Sequence, residues 1–118
     1  NMSEPYNFEL LEKVNQLAKN LNIKVQNGIY YGISGPTFET LAEYKMIYNV
    51  GADCVGMSTV PEVIVAKHMN MDCFGVSVIS DIGNEESIKS VNHNEVLAAV
   101  NAAEPKLRRL IKELISKF

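Results

Sequence analysis

The strongest constraint on the fold is a pair of short apolar runs, at residues 53–57 and 72–80, that flank a helical segment. Nearly unbroken apolar content at this length is typical of strands that are buried on both faces of a parallel sheet. The segment 60–68 carries Pro61 in its first turn, where a helix tolerates proline. The pattern predicts a β-α-β unit with a right-handed crossover, and therefore an α/β fold.

Local signals predict the other helices and a further strand. Apolar residues at steps of three and four predict a helix over 6–21, and β-branched and aromatic residues predict a strand within 24–34. Residues 40–43 (TLAE) match a capping box that begins a helix, and residues 59–62 (TVPE) match a second one. A last apolar stripe predicts a C-terminal helix that Pro105 kinks or restarts.

The composition is that of one globular domain over residues 1–118, with 47% apolar and 21% charged residues. Eleven basic and fourteen acidic residues give a net charge of −3, which disfavours nucleic-acid binding. No run approaches the roughly 18 apolar residues that a membrane helix needs. Cys54 and Cys73 lie in apolar runs without CxxC spacing, so we expect buried, reduced thiols in a cytoplasmic protein. The polar stretch 81–91 is expected to be a surface loop.

Polar side chains directly follow the predicted strands, at residues 34–39, 57–59 and 80–81. Since ligands of open α/β sheets bind beyond the carboxyl ends of the strands, we expect a small-molecule site there. Ser58 stands at a helix start, where it would bind an anion or simply cap the helix. Glu39 would accept two hydrogen bonds from an amide-like ligand edge, or occupy the first turn of a helix.

Other candidate residues also admit two interpretations each. Phe38 would cover an apolar ligand face or belong to the core, and Asp81 would serve the site or form a turn. His93 precedes a helix and is a site residue or a surface histidine near the N-cap. Tyr30 and Tyr31 alternate on one strand, so one faces a pocket or interface and the other the core. No residues have metal-ligand spacing, and no glycine-rich phosphate motif is present in the sequence.

Two long motifs carry a family resemblance. Residues 35–43 (GPTFETLAE) and 51–68 (GADCVGMSTVPEVIVAKH), supported by 2–6 and 92–97, closely resemble the trimeric purine nucleoside phosphorylases over essentially the whole chain. The resemblance implies a nucleoside phosphorylase-like α/β fold with a mixed β-sheet flanked by helices. It also implies a cytoplasmic, homotrimeric pentosyltransferase of purine salvage. Such an enzyme uses inorganic phosphate as co-substrate, without a metal or organic cofactor, and releases free base and (deoxy)ribose 1-phosphate.

The resemblance also implies roles for individual residues. Carried over by motif, they bind the base (Phe38, Glu39 and Asp81), the ribose (Tyr30, Met57 and His93) and the phosphate (Ser58). Glu39 is expected to grip N1–H of a 6-oxopurine such as guanine or hypoxanthine, and Phe38 to stack on the base. Glu39 and Asp81 are the expected catalytic residues.

Two departures from the family pattern leave alternatives open. Family members are much longer, so the chain is expected to be a C-terminal portion that lacks the phosphate loop, and a catalytically incomplete purine-binding fragment or assembly module is the alternative. Asp81 stands where the family often has Asn, and an Asp at this position resembles the phosphorylases of adenine nucleosides, including methylthioadenosine. Either a protonated Asp81 donates to N7 of a 6-oxopurine, or its carboxylate accepts from a 6-amino group. Hydrolysis without phosphate fits less well, because the motif around Ser58 is intact.

Overall fold

The computed structural model describes residues 2–83 and 93–118, and for His93 it describes the backbone alone. The helices and strands are α1 (Phe8–Asn20), β1 (Tyr30–Gly32), α2 (Leu41–Asn49), β2 (Cys54–Gly56), α3 (Val60–His68) and α4 (His93–Ile115). The strands β1 and β2 pair in parallel, with Tyr30 opposite Cys54 and Gly32 opposite Gly56. Because α2 connects two parallel strands, the described part of the chain contains one β-α-β unit, formed by β1, α2 and β2.

The start of α1 is held by Asn7, and the predicted helix over 6–21 is confirmed. The Asn7 side chain accepts a hydrogen bond from the Leu10 N–H at 3.1 Å, which satisfies one free donor of the first turn. Asn7 also contacts two residues that are distant along the chain. Its Nδ2 donates to Asp72 at 2.9 Å, and its backbone N–H donates to the Cys73 carbonyl at 2.8 Å. A single residue therefore caps α1 and anchors a distant stretch of backbone.

The predicted capping box at the start of α2 is confirmed. Thr40 Oγ1 accepts from the Glu43 N–H at 3.3 Å, while the Thr40 N–H donates to the Glu43 carboxylate at 2.7 Å. The Thr40 hydroxyl, followed by the Thr40 backbone N–H, lowers the pKa of Glu43 by stabilising its charged form. The helix then ends at Asn49, close to the predicted position.

The second predicted capping box, at residues 59–62, is wrong, although α3 itself and Pro61 in its first turn are confirmed. Thr59 is the N-cap residue, but its side chain makes no capping hydrogen bond. Its backbone has φ +72°, in the left-handed region, whereas a capping box requires an extended N-cap residue. The conformation of Thr59 is therefore set by the sharp turn between β2 and α3, and the capping-box motif does not determine it.

The predicted strand over residues 72–80 is also wrong, and with it the β-α-β unit built on α3. Within residues 2–83 and 93–118, the sheet consists of β1 and β2, and the neighbour of β2 is β1. The side chains of Val76 and Ile79 are exposed, contrary to the expected burial on both faces. Apolar content predicts burial, but a strand also needs a partner for its backbone groups, and the local sequence does not specify that partner.

The chain divides into two compact units. The first comprises the described residues within 1–26, 59–77 and 103–118, and its core joins α1 to the end of α4. The buried members of this core are Val14, Leu17, Ala18, Leu110 and Leu114, with Leu21, Ile23 and Phe74 packed against them. Both predicted apolar stripes are thus confirmed in their middle parts, while their ends at Phe8 and Phe118 are exposed.

The second unit comprises the described residues within 27–58 and 78–102, and it contains the sheet and α2. Asp53 organises the approach to the sheet, because its carboxylate accepts the Ile29 N–H at 2.7 Å. The helix α4 runs through Pro105 without a break, so the predicted restart is wrong. The burial of Leu110 and Leu114 against α1 stabilises the continuation of this helix beyond the proline.

Several further sequence predictions concern individual segments. Cys54 and Cys73 are free, as predicted, but half-buried, and burial followed by the charge of Asp53 raises the pKa of the Cys54 thiol. Most of the predicted polar loop over 81–91 lies outside the described residues. None of the helices described in the structure is long and apolar enough to cross a membrane. The single domain over 1–118 stays a prediction.

Candidate functional site

The predicted site residues with described side chains all belong to the unit that contains the sheet. Tyr30 lies on β1, and Phe38 and Glu39 lie on the loop that follows it. Met57 and Ser58 directly follow β2, and Asp81 lies further along the chain, in the same unit. His93 is the first residue of α4, in the same unit, and its side chain lies outside the described part. Phe38, Glu39, Met57 and Ser58 thus follow the carboxyl ends of two parallel strands, the edge of an α/β sheet at which ligands bind.

Tyr30 and Ser58 form a direct contact across the two strands. The Ser58 N–H donates to the Tyr30 hydroxyl at 3.2 Å, and the two hydroxyl oxygens lie 3.5 Å apart. Gly56 makes this possible, because a Cβ atom at that position would meet the Tyr30 ring. The Ser58 N–H is therefore engaged by Tyr30, whose own hydroxyl hydrogen is a further donor.

The loop that carries Phe38 and Glu39 lies against Met57. Gly35 has φ +68°, in the left-handed region that favours glycine, and the Gly35–Pro36 peptide is cis. A Cβ atom at Gly35 would stand 2.6 Å from Met57 Sδ, well inside ordinary contact distance. The absence of a side chain at Gly35 therefore lets the loop and Met57 approach each other.

Phe38 and Glu39 do not have the purely structural roles that the sequence also allowed, a core position for Phe38 and the first turn of a helix for Glu39. Phe38 is 53% exposed, so it does not belong to the core. Glu39 precedes the N-cap residue Thr40, so it lies outside the first turn of α2. It is half-buried in the loop. Both residues lie on the loop whose Gly35 approaches Met57, and Met57 is itself 43% exposed.

Tyr44, on α2, is half-buried, and the sequence analysis did not single it out. Burial raises the pKa of Tyr44 far above its usual range, and the neighbouring Glu39 carboxylate, followed by the charge of Asp81, raises it further. A helical residue four positions after the N-cap returns to the same side of the helix, and this spacing from Thr40 is the sequence signal that could have identified Tyr44.

Asp81 is half-buried, and its carboxylate is partly satisfied within the chain. The Ser80 hydroxyl donates to Asp81 Oδ1 at 2.8 Å. The same segment contacts Tyr44, since a Cβ atom at Gly83 would stand 2.5 Å from the tyrosine ring. Two carboxylates and one neutral phenol thus share this part of the site. Among the described residues, no group of three or more His, Cys, Asp or Glu side chains could hold a metal ion.

An α/β unit with polar side chains at the carboxyl ends of parallel strands is typical of proteins that bind small molecules, and the comparison with known families identifies the class. The chain belongs to the phosphorylase superfamily, whose family model matches residues 1–116. The predicted family and the α/β fold class are therefore confirmed.

Particular relatives are purine nucleoside phosphorylases. The chain is 41% identical over 121 residues to the purine nucleoside phosphorylase of Bos taurus and 37% identical over 117 residues to purine nucleoside phosphorylase 1 of Bacillus subtilis. Each match covers 99% of this chain, but only 42% and 43% of the respective relatives. The chain thus spans well under half the length of the curated relatives it matches.

Solved structures of the same class superpose closely on the whole chain. Isoform 2 of the Schistosoma mansoni purine nucleoside phosphorylase, in complex with cytosine and ribose-1-phosphate, matches with a TM-score of 0.94 at 33% identity. The Schistosoma mansoni enzyme in complex with inosine matches with a TM-score of 0.92 at 35% identity. Both matches cover 100% of this chain and 43% of the solved chain.

Proposed function

We propose that the chain is part of a purine nucleoside phosphorylase that acts on 6-oxopurine (deoxy)nucleosides such as guanosine and inosine. The observation that carries the proposal is the grouping of the Glu39 carboxylate with Met57 and the Tyr30–Ser58 contact in one unit, beyond the same pair of parallel strands. The relatives named above support it, as does the likeness to Schistosoma mansoni structures in complex with inosine and with guanosine.

The proposed reaction breaks the bond between the purine and the sugar and forms a bond from the sugar to a phosphate oxygen. Positive charge develops on the sugar and negative charge on the leaving base, so groups that stabilise each charge accelerate the step. Inorganic phosphate stabilises the first, and the Ser58 hydroxyl, 3.5 Å from that of Tyr30, is proposed to bind the phosphate. No side chain acts as a nucleophile, and the proposal requires no metal or organic cofactor.

Recognition of the base is assigned to Glu39, Phe38 and Asp81. The Glu39 carboxylate accepts from N1–H, a donor that 6-oxopurines have and adenine lacks. The exposed ring of Phe38 offers an apolar face for the base. Tyr30, Met57 and His93 are proposed to line the ribose. A homotrimer, a cytoplasmic location and a role in purine salvage also remain proposals, and the exposed side chains of Tyr48, Ile64 and Val65 support assembly with further protein surface.

Asp81 favours a second candidate, the phosphorolysis of adenine nucleosides. An ionised carboxylate accepts from a 6-amino group, and one similar solved structure is the Schistosoma mansoni enzyme in complex with adenosine. The substitution Asp81→Asn distinguishes the two candidate functions, because an amide always carries a donor for N7. We expect the variant to retain inosine turnover and to lower the ratio of adenosine to inosine turnover. An undiminished ratio of adenosine to inosine turnover would show that Asp81 does not determine which base is accepted.

The test of the function is a chimera in which these 118 residues replace the matching stretch of the Bacillus subtilis relative. We expect phosphate-dependent release of hypoxanthine from inosine, with the unmodified relative as the positive control. Release that does not require phosphate would indicate a hydrolase. A folded chimera that binds purine but releases no base would indicate a non-catalytic binding module and would contradict the proposal.

A further inference from the structure

We propose that Asn27 is a site of spontaneous covalent modification, at which its side-chain amide becomes an aspartate or isoaspartate through a cyclic imide formed with Gly28, and that this change weakens the start of β1. Asn27 and Gly28 form the one Asn-Gly pair of the 118-residue chain. They lie directly before Ile29 and β1, in the unit that contains the sheet. The modification does not depend on the proposed function, because it needs only the chain itself and water.

The chemistry follows from the side chain of Asn27 and from the lack of one at Gly28. The Gly28 amide nitrogen attacks Cγ of Asn27, so that a bond forms between these two atoms while the Cγ–Nδ2 bond breaks. Nδ2 leaves as ammonia together with the proton of the Gly28 amide, and water then opens the imide at either carbonyl to give aspartate or isoaspartate. A side chain on the second residue hinders the backbone conformation that ring closure needs, and glycine removes that hindrance.

The structure leaves the Asn27–Gly28 pair accessible to this reaction. Both residues are exposed, and both lie outside the helices and strands, so no regular element fixes their backbone and water reaches the ring. Asn70 provides the comparison within the same chain, because it is also exposed and outside the helices and strands but is followed by Met71. Exposure together with a following glycine therefore distinguishes Asn27 from Asn70, which shares the exposure alone.

The consequence for the fold follows from the contacts that the next residue, Ile29, makes with Asp53. The Ile29 N–H donates to Asp53 Oδ2 at 2.7 Å, and the Ile29 carbonyl accepts from the Asp53 N–H at 2.9 Å. Gly28 lies against the same residue, since a Cβ atom at Gly28 would stand 3.0 Å from Asp53 Cβ. An isoaspartate at position 27 adds a carbon atom to the main chain directly before these contacts, and either product adds a negative charge two residues before the donor that binds the Asp53 carboxylate. The modification therefore loosens the Ile29–Asp53 pair, and with it the start of β1.

The first test follows the modification itself, in the chimera and in the free 118-residue chain, with the folded state of each verified by circular dichroism. We expect incubation in mildly alkaline buffer to convert Asn27 to both aspartate isomers, separated and detected by peptide mass spectrometry, about 10-fold faster than it converts Asn70. Asn27→Gln is the control variant, because its longer side chain closes a larger ring far more slowly. An Asn27 that survives as long as Asn70, or that yields aspartate without isoaspartate, would overturn the proposal.

The second test measures what the modification does to the start of β1. Hydrogen exchange of the Ile29 amide, followed by mass spectrometry, should be about 5-fold faster in the incubated protein than in the fresh protein, the effect of one weakened hydrogen bond. Incubated Asn27→Gln should exchange this amide at the rate of fresh Asn27→Gln. Unaltered exchange in fully converted protein would overturn the proposed effect on β1. Neither measurement needs turnover, so an inactive chimera that still modifies Asn27 would contradict the proposed function alone.

Discussion

The hydroxyl of Tyr30, on β1, accepts the backbone N–H of Ser58, which directly follows β2, at 3.2 Å. This contact joins the two parallel strands beyond the end of their backbone ladder. It also engages the Ser58 N–H and leaves the Ser58 hydroxyl 3.5 Å from that of Tyr30. Two hydroxyl groups therefore lie side by side at this edge of the sheet.

The first prediction concerns this contact. Tyr30→Phe removes the acceptor of the Ser58 N–H and one hydroxyl donor from the site, so we expect kcat/KM for phosphate to fall about 5-fold, equivalent to a loss of roughly 1 kcal/mol. Steady-state kinetics with varied phosphate, measured on the active chimera, check it. Tyr31→Phe alters the adjacent, half-buried tyrosine and should change the phosphate dependence little. Equal effects of the two variants would refute a specific role for Tyr30.

The second prediction concerns the base. Glu39→Ala removes a charged acceptor, and the loss of a charge-assisted hydrogen bond costs about 1.5–3 kcal/mol, so kcat/KM for guanosine should fall roughly 10- to 200-fold. Kinetics on the chimera measure it, and Glu62→Ala, at the exposed start of α3, is the control. A Glu39→Ala variant with unaltered kcat/KM would show that this carboxylate does not bind the base.

The third prediction separates backbone strain from a steric clash. Gly35 and Gly51 both have positive φ, but an added Cβ atom would meet Met57 Sδ at 2.6 Å in the first case and nothing within 4 Å in the second. Each substitution by alanine should cost about 1–2 kcal/mol of unfolding free energy through strain. Gly35→Ala should cost about 1–3 kcal/mol more, because Met57 must move. Urea unfolding of both variants tests this, and equal losses would mean that Met57 moves away without cost.

The fourth prediction follows from the raised pKa of Tyr44. The unfolded chain ionises this tyrosine near its ordinary value of 10.0, while the folded chain keeps it neutral to higher pH. Its contribution to the unfolding free energy is therefore fully present below pH 10 and is lost as the pH rises toward the folded-state value. The stability difference between the chain and Tyr44→Phe should therefore shrink as the pH rises above 10. A difference that stays constant above pH 10 would disprove the assignment.

Features with a local cause were predictable from the sequence. The helix α1 follows from its apolar spacing, and the capping box at the start of α2 needs only residues three positions apart. The strands β1 and β2 also lie within the predicted segments, although each is short. The polar residues after these strands could be predicted to form a site, since the α/β pattern determines at which edge strand ends meet. The family motifs added the proposed role of each residue.

What the tertiary structure decided depends on partners that are distant along the chain. Residues 72–80 look like a buried strand, but a strand exists only where another strand accepts its hydrogen bonds, and β2 pairs with β1. Thr59 matches a capping motif, but the turn after β2 takes its backbone to φ +72°. Tyr44 has no motif at all, and the structure shows that the backbone of Gly83, distant along the chain, lies against its ring. The sequence by itself therefore determined the helices and the edge at which the site forms, because those depend on neighbouring residues. Only the fold decided strand pairing and the contacts around Tyr44, because these join residues that are far apart in the chain.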